Sequence, residues 1–118
     1  MRYVLILMLL VLPLTTIQAK ETKITLPINK DISIGIHERI KAHKLESLIH
    51  SVAYISILSC NPDKKELSIR FSANTDNRKR GIIIVREGSI FGIFENTIVT
   101  VTSIATSEKN CIGTFSFK

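Results

Sequence analysis

The sequence predicts a mainly β protein, with an α+β arrangement as the alternative. We expect a compact antiparallel β-sandwich or barrel of about seven or eight short strands, with one helix near residues 37–51. Isoleucine supplies 18 of the 99 residues from Lys20 to Lys118, and β-branched side chains suit a pleated sheet better than a helix. From Val52 onward, apolar and polar residues alternate with a period of two, in short segments separated by turns.

The N-terminal segment predicts export. It has a positive start, an apolar run of ten residues that ends before Pro13, and a small residue, Ala19. This is the layout of a secretory signal peptide, and the apolar run is about half the length that a membrane-spanning helix needs. We therefore expect a signal peptide at 1–19 and a single β-rich domain at 20–118, secreted or periplasmic. An uncleaved signal anchor is the alternative.

Two cysteines, Cys60 and Cys111, lie in the part of the chain that would remain after cleavage. In an oxidising compartment a disulfide between them is the expected outcome. The chain-entropy model puts the stabilisation from closing such a loop at roughly 4 kcal/mol. The alternative, a metal or redox pair, lacks the Cys-x-x-Cys spacing and an adjacent histidine.

The first half of the chain predicts two strands and one helix. Alternation predicts strands at 23–28 and 32–36, and Pro27 confines the first of them to a sheet edge or a strand end. The segment 37–51 has a different period. Four apolar residues recur there at i, i+3, i+4 and i+7, which is one face of a helix. They are Leu45, Leu48 and Ile49 in the segment and Val52 directly after it.

The second half predicts strands connected by short turns. The run Ile82–Val85 is continuously apolar, which is typical of a strand buried on both faces. The connections between 66 and 105 are too short for a crossover helix, so this part is expected to form an antiparallel meander. The strands are predicted at 52–60, 66–73, 81–86, 90–94, 97–105 and 111–117.

The sequence contains no arrangement of residues that is typical of catalysis. Nucleophile motifs and a glycine-rich phosphate loop are absent. His37, His43 and His50 lack the i, i+3 or i, i+4 spacing of helical metal sites. We therefore expect a protein that is not an enzyme, with no cofactor and no metal.

The charge balance points to anionic partners. The length of 118 residues fits one domain and excludes a multidomain enzyme. The formal net charge is +6. Basic residues occur in two predicted loops and on the predicted helix, and this positive surface could bind an anionic partner. The loop residues are Arg78, Lys79 and Arg80 in one loop and Lys64 and Lys65 in the other, and the helix residues are Arg39, Lys41 and Lys44. Solubility alone is the simpler explanation of this charge.

These observations favour an exported protein-interaction module. Such a module would be an accessory or assembly subunit, or a periplasmic partner of a membrane-associated or surface structure. The alternative is a secreted binder of an anionic glycan or of an enzyme, that is, an inhibitor or immunity protein. Nucleic acid is not expected as a partner, because few aromatic residues are present to stack on bases, and self-association into a homo-oligomer is left open.

Overall fold

The computed structural model describes residues 20–46, 49–73, 80–94, 96–107 and 110–118; the predicted signal peptide at 1–19 lies outside them. The mainly β prediction is confirmed, because these ranges form strands and turns without a helix. No helix that is long and apolar enough to cross a bilayer is found among them. The strands are β1 (Glu21–Leu26), β2 (Ile32–Gly35), β3 (Arg39–Glu46), β4 (Ile49–Asn61), β5 (Glu66–Ala73), β6 (Arg80–Val85), β7 (Ile90–Phe94), β8 (Thr97–Ser107) and β9 (Asn110–Phe117).

The strands form two sheets. Sheet A has the order β1-β3-β4-β5-β6, and sheet B has the order β2-β9-β8-β7. Every described strand pair is antiparallel except β1 with β3, which is parallel. Strand β1 lies at an edge, as Pro27 directly after it predicts.

The core lies between the inner faces of the two sheets. Buried residues of both sheets belong to one apolar cluster, and Gly113 of β9 shows how closely the sheets approach. A Cβ atom added there would lie 2.7 Å from Cδ1 of Leu67 in β5. The largest fully buried apolar side chains are Ile40, Ile55, Ile57, Leu67 and Ile69 in sheet A, and Ile34, Ile93, Val99, Val101 and Phe115 in sheet B.

The predicted helix at 37–51 is wrong. Residues 39–46 form β3, and β4 begins at Ile49. Ile40 and Ala42 are fully buried, and Arg39 and Lys41, which alternate with them, point to the opposite face, so the actual period is two. Strand β3 also has a partner on each side, β1 and β4. This pairing and burial outweigh the helical spacing of Leu45, Leu48, Ile49 and Val52. The described residues form nine strands, where seven or eight were expected.

Strand β6 also differs from its prediction. It is the last strand of sheet A instead of a strand buried on both faces, and the side chains of Ile82 and Ile84 are 58% and 70% exposed. The turn Arg86–Ser89 then carries the chain into sheet B. The expected meander is therefore divided between the two sheets.

The predicted disulfide is confirmed. It connects Cys60 of β4 with Cys111 of β9, with their Cα atoms 6.2 Å apart, and so joins the two sheets. A β-bulge between Ile57 and Ser59 shifts the alternation of β4, so that Cys60 pairs with the inward-facing Leu67. A disulfide at this position is compatible with an oxidising, exported location.

Candidate functional site

The structure separates the basic residues that the sequence groups together. Lys64 and Lys65 lie in the turn between β4 and β5, whereas Arg80 begins β6 opposite Ser72, near the other end of β5. The rise of a strand puts about 20 Å between Glu66, which follows the turn, and Ser72. Lys65 is also paired with a carboxylate, because its Nζ lies 2.5 Å from Oε1 of Glu87. The remaining predicted residues, Arg78 and Lys79, lie outside the described residues.

Strands β6 and β7 form what we call the open edge. Each is the last strand of its sheet, and within the described residues each pairs with a neighbour on one side only. The two strands follow one another through the turn Arg86–Ser89, so they lie on the same side of the molecule. An unpaired strand edge presents a row of backbone donors and acceptors to a partner.

Hydrogen bonds hold the turn between these strands in place. The Gly88 N–H donates to the carbonyl of Val101 at 2.7 Å, and the Val101 N–H donates to the carbonyl of Ser89 at 2.8 Å. The Arg86 N–H donates to Oγ of Ser89 at 2.9 Å. Gly88 has a φ of 89°, which glycine adopts without strain. The open edge is therefore anchored to β8.

Exposed isoleucines flank the open edge. Ile82 and Ile84 of β6 lie on the outer face of sheet A, and Ile90 of β7, 67% exposed, lies on the outer face of sheet B. Ile98 of β8 adjoins β7 on that same face. Of the five exposed large apolar residues among those described, only Ile112 lies away from this edge, on β9. The open edge therefore combines free backbone groups with apolar side chains.

The outer face of sheet A carries a second feature, which we call the basic face. Its cations come from four of the five strands. They point outward because the residues that alternate with them are directed towards the core. The basic face consists of Lys23 on β1, Arg39 and Lys41 on β3, Arg70 on β5 and Arg80 on β6.

The acidic groups on this face are already engaged. Glu21 pairs with Arg39, and Oε2 of Glu66 lies 3.3 Å from Nε of Arg86. Within the described residues, no carboxylate lies within ion-pair distance of Lys23 or Lys41. The face therefore keeps uncompensated positive charge.

Sheet B contrasts with this face. None of the residues in β2, β7, β8 and β9 is an Asp, Glu, Lys or Arg. Hydroxyl groups on its outer face bond to each other, as Ser33 Oγ and Thr114 Oγ1 do at 2.8 Å. The two layers of the protein therefore differ sharply in charge.

Sequence reasoning misses both surfaces for identifiable reasons. The continuous apolar run of β6 predicts a strand buried on both faces, so the sequence does not indicate an edge strand there. The signal against that interpretation is the pair Arg80 and Arg86 on either side of the run, which is typical of an exposed strand. The cations of β3 are hidden by the helical interpretation, since Arg39 and Lys41 share a face only when the segment is a strand. Their spacing of two residues is the signal that would have identified the basic face.

The chain has no match among protein-family models, curated proteins or solved structures. Within the described residues, no three His, Cys, Asp or Glu side chains are grouped so that they could hold a metal ion. The open edge and the basic face are therefore the candidate sites on which the functional interpretation depends.

Proposed function

We propose that the protein is an exported protein-interaction module without enzymatic activity, and that the open edge is its docking site. It would act as an accessory or assembly subunit, or as a periplasmic partner of a membrane-associated or surface structure. The signal peptide would direct export and be cleaved after Ala19, and the Cys60–Cys111 disulfide is compatible with an exported location. The partner would add a strand to β6 or β7.

The observation that carries the proposal is the exposure of Ile82, Ile84 and Ile90 on strands whose outer edges are unpaired in the described part of the chain. Natural sheets usually protect such edges with proline, short strands, bulges or charged side chains. Strand β6 has six residues, no proline and no charged residue after Arg80. An edge left in this state is suited to accept a strand.

The flanking charges favour one kind of partner. Arg80 begins β6, so an extended segment that is apolar in its middle and acidic at the end beside Arg80 would be complementary. Arg86, which follows β6, already pairs with Glu66. A second copy of the chain fits less well. Antiparallel pairing of two β6 strands about Ile83 would place Arg80 of one copy opposite Arg86 of the other, and like charges in that position are destabilising.

We also propose that the two sheets form a sandwich instead of a closed barrel. Each sheet ends in its own edge strands, β1 and β6 in sheet A and β2 and β7 in sheet B. In the described part of the chain, no strand of one sheet pairs with a strand of the other. The disulfide and the apolar core connect the sheets instead.

Photo-crosslinking from chosen positions tests the docking site. A photoreactive residue at Ile84 or Ile90 should form a discrete adduct with one envelope protein, whereas the same residue at Ile112 should not. Ile84→Lys, in a chain labelled at Ile90, should abolish that adduct, and Ile112→Lys should leave it intact. Equal crosslinking from all three positions would contradict the proposal, as would an adduct that survives Ile84→Lys.

A further inference from the structure

We propose that the basic face of sheet A binds a linear anionic polysaccharide through its sulfate or carboxylate groups. This site is separate from the open edge and takes a different class of ligand, so it goes beyond the function proposed above. Three features of the face support it: two lysines that oppose each other, an aromatic ring that holds two cations, and a line of cations across the sheet.

Lys23 and Lys41 are register partners on the parallel strands β1 and β3. Adjacent strands lie about 4.8 Å apart, and like charges placed directly opposite each other on a sheet are destabilising. The nearest acidic residue on β1, Glu21, is engaged by Arg39. A sulfate or carboxylate group bound over β1 and β3 would offset the positive charge of both lysines, so binding would relieve their repulsion.

Tyr54 of β4 holds two of the cations in place. The Arg39 guanidinium carbon lies 5.0 Å from the centre of the Tyr54 ring, and Nζ of Lys41 lies 5.8 Å from it. Both distances are within the range of cation–π attraction. Because these long side chains are already ordered over the ring, less conformational entropy is lost when they bind an anion.

The cations are arranged across the sheet instead of in one cluster. One row of register partners crosses all five strands, and the four strand spacings cover about 19 Å; the row consists of Lys23, Lys41, Tyr54, Ser72 and Arg80. The neighbouring row adds Arg39 and Arg70. A linear polyanion that runs across the strands would therefore meet cations from one edge of the sheet to the other.

The uncharged side chains of the face favour a polysaccharide over a membrane surface. Between the cations lie hydroxyl-bearing residues such as Thr25, Ser56 and Ser72. Interfacial binding to a bilayer gains affinity from apolar side chains that enter the headgroup boundary. The exposed apolar residues of this face, Ile82 and Ile84, are confined to β6 at its edge.

Two double variants of equal charge test the site in the exported, disulfide-bonded protein. Lys23→Gln with Lys41→Gln removes the opposed pair, whereas Lys30→Gln with Lys64→Gln removes two exposed lysines in loops outside the face. The probes are immobilised heparin, which is sulfated, polygalacturonate, which is carboxylated, and uncharged dextran. Titrations between 50 and 300 mM NaCl, chosen here to resolve the salt slope, separate specific contacts from net charge.

We expect the Lys23/Lys41 variant to bind heparin or polygalacturonate at least ~10-fold more weakly than the unaltered protein. The slope of log Kd against log salt should fall by about two, one for each lost contact. The Lys30/Lys64 variant should change the affinity less than ~2-fold. Arg70→Gln, which does not alter the lysine pair, should weaken binding independently. Circular dichroism and thiol titration check that each variant is folded and oxidised.

Three results would overturn the proposal. Equal losses in the two double variants would show that only net charge matters. Equal binding to dextran, or no binding to either polyanion, would exclude an anionic-glycan site. The third result is tighter binding to phosphatidylglycerol vesicles than to both polysaccharides at the same salt concentration. If the Lys23/Lys41 variant loses that binding, the face binds an anionic lipid surface instead.

Discussion

Lys23 of β1 and Lys41 of β3 occupy opposed positions on adjacent parallel strands, and both belong to the outer face of sheet A. The two residues are 18 positions apart in the sequence and reach the same row of the sheet because β2 lies in the other sheet. Two cations in these positions repel each other, so the arrangement has consequences for stability as well as for binding.

The Lys23→Glu variant should be more stable than the unaltered protein. A carboxylate opposite Lys41 replaces repulsion with attraction, and cross-strand pairs of this kind contribute about 0.2–1 kcal/mol. Urea unfolding at low salt measures the gain, which should shrink at high salt because the charges are screened. The control is Lys64→Glu in the turn between β4 and β5. An equal gain in that variant would mean that the effect comes from net charge alone.

Removing the disulfide should destabilise the protein by about 2–4 kcal/mol. The bond between Cys60 and Cys111 closes a long loop of the chain, so their replacement by serine gives the unfolded chain more conformational entropy. Urea unfolding of the double serine variant and of the reduced protein measures the loss. Both midpoints should lie below that of the oxidised protein, and that of the double serine variant should be the lower, because a hydroxyl group then replaces the buried Cys111 thiol; coincidence with the oxidised midpoint would contradict the prediction.

The Gly113→Ala variant should lose about 1–3 kcal/mol through overpacking. The added methyl group would lie 2.7 Å from Leu67 and 3.2 Å from Ile57. Gly81→Ala is the control, since its methyl group would meet Phe71 at an ordinary 3.6 Å.

A double variant with Leu67→Ala identifies the clash. Because Leu67→Ala removes the atom that Gly113→Ala meets, the two losses in unfolding free energy should add up to more than the loss in the double variant. Simple additivity would show that the two side chains do not conflict.

The Thr97→Val variant should lose about 1 kcal/mol, because a buried hydrogen bond is removed while the shape is kept. Thr97 is 5% exposed, and its Oγ1 accepts a hydrogen bond of 3.0 Å from Nζ of Lys44. This bond connects β8 of sheet B with β3 of sheet A. Thermal unfolding of Thr97→Val and Thr97→Ser gives the comparison: serine keeps the hydroxyl group and should retain more of the stability.

Composition and local alternation are sufficient to predict the β class and the disulfide. Inward-facing residues of β5 such as Leu67 and Ile69 follow a strict period of two, and the only two cysteines leave a single pairing. The edge position of β1 is predicted by Pro27, since proline cannot donate to a strand ladder. These signals act over a few residues, so a single sequence reveals them.

The remaining features depend on contacts between distant residues. The bulge after Ile57 turns Cys60 towards Cys111, and no local pattern indicates where an extra residue will be inserted. The segment 39–46 is a strand because β1 and β4 flank it, which overrides its helical spacing. The basic face depends on the pairing of β3, and the open edge depends on β6 and β7 being the last strands of their sheets. Both are arrangements of strands that are distant in the sequence, so a local pattern does not reveal them.

The segregation of charge between the layers gives the molecule an electric polarity through its thickness. Every Asp, Glu, Lys and Arg in the described strands belongs to sheet A. Near a negatively charged surface, the positive potential of sheet A would orient the molecule before contact, so that sheet A faces that surface. Strands β8 and β9 would then lie on the side away from that surface. The open edge formed by β6 and β7 would lie at the side of the molecule, where a protein partner can reach it. The protein would thus arrive already oriented, able to hold a carbohydrate beneath it and a protein beside it at the same time.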